Sequence, residues 1–347
     1  MAAVGGGGML TSASMEPNPS LQIMELISGG LAAQSISAAA ELGIADLLAT
    51  GPQTTKRLAT ATGTDAEKLY RLLRYLASLG VFTLGANDAW GLTPLAEVLR
   101  SEVPGSMRAG ARMLGRMSSV TPHLLENVRT GQCAYNLAFG KPIFEDLSGK
   151  PEDAAIFDAA MNSFHGPETD AVLDAYRYDG ISTLADVGCG SGVVMAATLR
   201  RYPALRGVLF DQAHVIERTT PSIQGTDVAD RCTFVSGNFF ESAPSGADAY
   251  SMRHILHDWS DEHCIGILGQ IRKVIPSAGR LLIIETVVPE GNDPSPSKLF
   301  DMFMMLLPDG MERSEAQFRA LFVASGFALT GITPTQSPVS VIEGRPI

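Results

Sequence analysis

At 347 residues the chain is long for one domain and points to two. With 45% hydrophobic and 18% charged residues its composition is that of a globular protein, with no apolar run long enough to span a bilayer. A net charge of −11 supplies no field to draw nucleic acid or an anionic membrane. Four scattered cysteines (Cys133, Cys189, Cys232, Cys264) without a C-x-x-C pair argue against a zinc ribbon or a disulfide framework.

Residues 1–19, MAAVGGGGMLTSASMEPNP, are rich in Gly, Ser and Pro and lack the segments of a signal peptide; they read as a disordered leader on a cytoplasmic protein. From 20 to about 105 the chain is mostly helical. LQIMELISGGLAAQSISAAAELGIADLLAT has apolar residues at helical spacing, and Gly29-Gly30 permits a bend or a close helix crossing. The next stretch predicts a short helix, a turn at Gly63, a helix from about Asp65, and two short strands around Asn87-Asp88, which is the outline of a winged helix. Lys68, Arg71 and Arg74 could serve DNA, but the wing TLGANDAWGL has no Lys or Arg to meet phosphate. A packing or dimerisation module is the better reading. A helical stretch follows over 106–165.

From about residue 150 the texture changes. STLADVG, RGVLFDQ, CTFVSGN, DAYSMRHIL and RLLIIETVV are apolar strands separated by helices, the rhythm of an α/β doubly wound parallel sheet; FALTGITPTQSPVSVIEGRP adds a last, antiparallel pair. The first strand runs into DVGCGSG, where Gly188, Gly190 and Gly192 form G-x-G-x-G and Val193 stands where the dinucleotide fingerprint needs its third glycine. An acid, Asp211, ends the next strand, where nucleoside-binding folds grip ribose hydroxyls. With no Lys in the loop to hold a triphosphate, an adenosine-type ligand without phosphates fits best.

After the fourth strand comes HILHDWSDEHC. Ser260 reads as an N-cap with Asp261 and Glu262 in the first turn, Cys264 falls on the apolar stripe with Ile267, Leu268 and Ile271, and Trp259 reads as a packing anchor. His254 and His257, three apart at a strand end, are expected on opposite faces, which argues against a shared metal. His257 stands at the carboxyl end of a parallel strand, where such sheets bind ligands.

DVGCGSG, the Asp211 acid, GNFF, HILHDWSDEHC, IETVVPEG and GMERSEAQF together resemble the S-adenosylmethionine-dependent O-methyltransferases of the plant caffeate and bacterial polyketide type. The resemblance implies a Rossmann-like class I methyltransferase sheet over 166–347, a helical linker and substrate-pocket region over 106–165, and a winged-helix dimerisation domain over 20–105. It implies S-adenosyl-L-methionine as cofactor, S-adenosyl-L-homocysteine as product, a homodimer, and a hydroxylated aromatic or polyketide-like acceptor, with no nucleic acid, membrane or metal. Carried over residue by residue, Gly188 and Gly190 line the methionine end, Asp211 holds the ribose, and Asn238 and Phe239 bracket the adenine, with Asn238 where an acid is more usual. Arg253 stands where a Lys near the cofactor is common, and Cys189 where many members have Gly. His257 is the implied base, Glu312 its imidazole partner, and Glu285 borders the substrate hydroxyl and the ring. Phe157, Met161, Met304 and Met305 fall on helices that cover the acceptor.

The chemistry asks for such a base. A phenol with pKa near 10 is a poor nucleophile until deprotonated. An ordinary imidazole near 6.5 is mostly neutral at pH 7 and can take the proton as oxygen attacks in line. Glu312 could instead pair with Arg313, and Glu285 could cap a neighbouring element. Two other functions stay open: a relative that keeps the cofactor but hydroxylates, decarboxylates or runs a pericyclic step, and a ligand-responsive winged-helix DNA-binding protein.

Overall fold

The computed structural model describes residues 18–166 and 168–347. Most of the expected leader therefore lies outside the described residues, but its last two positions do not: Asn18 accepts the Ser20 N–H at 2.9 Å and caps the helix that Pro19 begins. The chain divides into two compact units, the first ending at Val103 and the second running from Pro104 to Ile347, so the helical stretch 106–165 folds with the sheet.

In the first unit the helix Pro19–Glu41 has only Glu25 and Glu41 as charged residues, and by length and composition it is apolar enough to cross a membrane. That corrects the expectation that no such run exists: Gly and Ser interrupt the run, but Leu, Ile, Met and Ala still hold its mean hydropathy at 1.2. Leu21, Ile23, Met24, Leu26, Ile27 and Leu31 are all more than half exposed along its N-terminal half. The rest of the unit has the outline of a winged helix. The helix Thr55–Thr62 ends on Gly63 at φ +67°, and Asp65 caps Ala66–Ser78 by accepting the Lys68 N–H at 2.9 Å. Leu69, Leu73 and Leu76 bury one stripe of that helix, each worth about 1.5–3 kcal/mol relative to exposure. Strands β1 (Gln53–Thr54), β2 (Phe82–Leu84) and β3 (Ala89–Leu92) form an antiparallel sheet in the order β1-β3-β2. Asn87 and Asp88 turn the wing at φ +59° and +52°, a region that short polar side chains tolerate.

The second unit carries seven strands: β4 (Thr183–Val187), β5 (Arg206–Asp211), β6 (Cys232–Ser236), β7 (Ala249–Arg253), β8 (Arg280–Thr286), β9 (Phe327–Pro334) and β10 (Val339–Pro346). Their order is β6-β5-β4-β7-β8-β10-β9, with β4 to β8 parallel and β10 antiparallel to both β8 and β9. Helices on both faces explain the near-continuous apolar strands: Leu281, Leu282, Ile283 and Ile284 are all buried, contributing alternately to the cores above and below. The strand order reverses between β4 and β7. That switch point opens the crevice at the carboxyl ends of the strands, and both of the chemistry-bearing turns, DVGCGSG and HILHDWSDEHC, leave those two strands.

Candidate active site

The turn after β4 is a cradle. Gly188, Gly190 and Gly192 sit at φ +80°, +53° and +74°, a region that disfavours side chains. A Cβ on Gly188 would lie 2.6 Å from the Ile255 side chain, so the glycine lets this turn close on the turn after β7. A Cβ on Gly190 would meet only open space, so its backbone faces the crevice. The Gly190 N–H donates to Asp211 Oδ2 at 2.9 Å, which brings the acid at the end of β5 against the cradle. An adenosine-type cofactor fits this arrangement: backbone open to close approach on one side, and a half-buried carboxylate at the end of the neighbouring strand.

The adenine-side candidates are arranged differently from a free amide and a free ring. Asn238 donates from Nδ2 to Glu241 at 3.1 Å and accepts the Phe240 N–H at 3.1 Å, so its side chain shapes its own turn. Phe239 packs on Phe240 and, edge-on, on Trp259, with ring centroids 4.9 and 6.3 Å away. Trp259 itself packs edge-on against Phe240 at 4.9 Å, the anchor expected of it.

The turn 254–260 is clamped from several directions. Glu285, expected beside the substrate hydroxyl, has Oε1 under the turn, where it accepts the N–H groups of Ile255, Leu256 and His257 at 3.1, 2.7 and 3.2 Å. Arg313, fully buried, donates to the carbonyls of Leu256 and Trp259 at 2.8 Å and to Asp261 at 2.8 and 3.0 Å. Arg313 therefore pairs with Asp261 and leaves Glu312 free for the histidine. Met311 N–H donates to the His257 carbonyl at 2.8 Å. Ser260 caps the following helix, Asp261–Val274, and Cys264, Ile267, Leu268 and Ile271 are its buried stripe.

Inside this clamp His257 Nδ1–H donates to Glu312 Oε1 at 2.8 Å, while Thr286 holds the other oxygen of Glu312. That bond assigns the proton of the neutral ring to Nδ1 and leaves Nε2 with the free lone pair. Asp258 Oδ1 lies 3.6 Å from Nε2. Glu285 and Glu312 are the acids expected at the histidine; the short helical turn 256–258 adds a third by folding Asp258 back on the ring. Burial works against charge on His257, but the carboxylates of Asp258, Glu312 and Glu285 outweigh it and raise the imidazole to about 10. The ordinary value given above therefore does not hold here: the surrounding acids favour the protonated ring. Burial raises Glu285 to about 7, whereas the bond to His257 holds Glu312 below the usual carboxylate range despite burial.

His254 also corrects an expectation. Its ring lies 5.2 Å from that of His257 and is not on the opposite face, because His254 adopts φ +52° and strand alternation ends there. Its Nε2 bonds Glu168 at 2.7 Å, and His165 bonds the other oxygen at 3.2 Å. Burial and the neighbouring His165 push His254 down to about 3, and its buried Nδ1 has no partner, so the ring stays neutral. His165, Glu168 and His254 place ligand atoms within 4.8 Å of one another, a cluster invisible in sequence because 86 residues separate Glu168 from His254. The two rings stack with centroids 3.8 Å apart, however, instead of radiating from a centre, and both carboxylate oxygens are already bonded. Arg253 donates to Thr169 at 2.9 Å beside this cluster and pairs electrostatically with Glu168 and Asp186.

The acceptor-side candidates lie on two helices, Pro151–His165 and Pro296–Leu306. Phe157 and Met305 meet in one apolar cluster around Val120, Tyr135, Ile143 and Leu306, and Met161 packs with Met113 and Ile156. Met304 is half-buried outside both clusters. A cavity of about 310 Å³ in this region, lined by Met113, Met117, Tyr135 and Ile156 among others, includes none of the four candidates.

A glycine cradle with its acid on one side of the switch point and a clamped, carboxylate-ringed histidine on the other define a nucleoside-cofactor transferase site. The chain belongs to the O-methyltransferase family: the O-methyltransferase domain matches residues 122–328 and the O-methyltransferase dimerisation domain residues 24–102. It is 41% identical to the phenazine O-methyltransferase PhzM of Lysobacter antibioticus over 94% of this chain and 96% of that one. It is 36% identical to the mitomycin biosynthesis 6-O-methyltransferase of Streptomyces lavendulae over 93% of each. The crystal structure of human N-acetylserotonin methyltransferase in complex with S-adenosylmethionine superposes with a TM-score of 0.86 at 26% identity, over 96% of this chain and 99% of that one. The protein is thus an S-adenosylmethionine-dependent O-methyltransferase with a class I sheet; neither alternative function finds support.

Proposed function

We propose that this enzyme methylates a hydroxyl of an aromatic or polyketide-like small molecule in secondary metabolism, with His257 as general base. The observation that carries this reading is the His257–Glu312 pair at 2.8 Å, set across the switch point from the glycine cradle. S-adenosylmethionine, when bound, supplies an electrophilic methyl group and a positive charge. Gly188, Gly190, Asp211, Asn238, Phe239 and Arg253 would hold it across the carboxyl ends of β6, β5, β4 and β7.

His257 Nε2 takes the acceptor's hydroxyl proton. Glu312 keeps the ring in the right tautomer and stabilises the imidazolium, and Glu285 fixes the backbone of the turn that presents it. Such a base contributes about 10²–10⁴-fold, and in-line positioning several kcal/mol more. Because the carboxylates favour the protonated ring, a cationic group held nearby would shift it toward the neutral form the reaction needs. Phe157, Met161, Met304 and Met305 give the acceptor an adaptable apolar wall, suited to flat rings. That relatives act in phenazine and mitomycin chemistry supports an aromatic acceptor. The enzyme works as a cytoplasmic homodimer without metal, nucleic acid or membrane; the exposed apolar face of Pro19–Glu41, mostly inside the matched dimerisation domain, is the surface for the second copy.

Incubation with methyl-labelled cofactor and a panel of hydroxylated mono-, bi- and tricyclic aromatics tests both parts. Wild type should transfer label to a subset, and His257→Gln should lose about 10²–10⁴-fold in turnover while still binding cofactor. Unchanged transfer by that variant would remove His257 from the base role. Transfer to no aromatic hydroxyl would remove the substrate class.

A further inference from the structure

Helix Pro296–Leu306, which carries Met304 and Met305, is bonded twice to the loop that holds the histidine. Asp301 Oδ1 accepts the N–H of Glu312 at 2.9 Å, and the Met304 carbonyl accepts the N–H of Gly310 at 3.1 Å. Between those anchors the chain turns through Asp309 at φ +67° and presses Gly310 on the His257 backbone. A Cβ on Gly310 would lie 1.9 Å from the His257 carbonyl oxygen, the same atom that accepts the Met311 N–H. Only glycine fits there, so the loop and the histidine backbone form one packed unit. The next residue, Glu312, then reaches the ring at 2.8 Å. The loop thus grips His257 by backbone and by side chain, and its own register is set from helix Pro296–Leu306.

We propose that Asp301 is a positioning residue for methyl transfer, tying the acceptor-facing helix to Glu312 so that a seated acceptor and an oriented His257 imidazole go together. The proposal rests on the reading of His257 as base. Without the Asp301 bond the Glu312 N–H loses its partner and the carboxylate its fixed distance to Nδ1. A displacement of about 1 Å in such a constellation can lower turnover about 10²-fold. Asn at 301 keeps an oxygen acceptor of the same shape for that N–H, whereas Ala does not.

The test compares wild type, Asp301→Asn, Asp301→Ala and His257→Gln. Its readouts are kcat and KM for the acceptor, kcat against pH, cofactor affinity by calorimetry, and the downfield proton resonance of the His257 Nδ1–H. The alanine variant should lose about 10²-fold in kcat with cofactor affinity unchanged, and a base loosened from Glu312 should titrate at lower pH. Its Nδ1–H resonance should broaden or move, and the asparagine variant should recover most of kcat and the resonance. Wild-type kcat, pH profile and resonance in Asp301→Ala would overturn the proposal. So would a change in acceptor KM alone, or an asparagine variant as impaired as alanine. If His257→Gln keeps its turnover, the base reading falls by itself, while the resonance still reports whether Asp301 holds Glu312 to the ring.

Discussion

A histidine ringed by acids behaves differently from one in water, and the difference sets the pH dependence of this enzyme. Asp258, Glu312 and Glu285 raise the His257 imidazole to about 10 against the opposing effect of burial. As a base it works only once deprotonated, so kcat/KM should climb from pH 7 toward 10 and then level off, and His257→Gln should flatten the profile. With the cationic cofactor bound, the corresponding rise in kcat should fall at lower pH. The same shift acts on stability. A base whose folded pKa lies above its unfolded value near 6.5 stabilises the fold fully below about 6.5, and that contribution is lost as pH rises through about 10. The difference in melting temperature between wild type and His257→Gln should therefore shrink from pH 7 to pH 10; a constant difference would show that the acids do not hold the proton. His257 itself was readable from its place at a strand end. Asp258, three positions before the first helical carboxylate, was not, because the short helical turn that folds it onto Nε2 leaves no periodicity in sequence.

At the scale of elements, the turn 254–260 has no regular ladder of its own and is satisfied by side chains from elsewhere. Arg313 supplies two carbonyl partners and an ion pair with Asp261 while fully buried, and Glu285 supplies the acceptor for three N–H groups. Replacing Arg313 with Met keeps much of the volume but leaves the Leu256 and Trp259 carbonyls without that donor. Unfolding measurements should show a loss of about 1–3 kcal/mol per group left unsatisfied, and kcat should fall with it. Stability within about 0.5 kcal/mol of wild type would mean the clamp is dispensable. The helix that follows was legible down to its cap, since Ser260, the first-turn acids and the Cys264 stripe are local signals. The clamp was legible only in part: Glu285, in the apolar strand RLLIIETVV, could be read as capping a neighbouring element, but which one could not, and Arg313 lies tens of residues from the turn it holds.

At the scale of the molecule, the exposed apolar row on Pro19–Glu41 is the feature a single chain leaves unexplained. If it packs on a second copy, Leu26→Glu with Ile27→Glu should convert a dimer to a monomer by sedimentation, with a change in the melting temperature of the assembly. A wild-type chain that sediments as a monomer would exclude this face as a dimer surface. Alternation of strand and helix, the glycine turn, Asp211, the helix caps and the winged-helix outline were determined by the sequence alone, because each depends on residues within a turn or two of one another. The strand order decided the rest. By reversing between β4 and β7 it sets the glycine cradle against the histidine turn, brings Glu312 and Asp258 to one imidazole, and stacks His165 on His254 across 89 residues of chain. Such pairings depend on tertiary packing and burial, which carry no local signature, so only the folded molecule could reveal which acids charge the base.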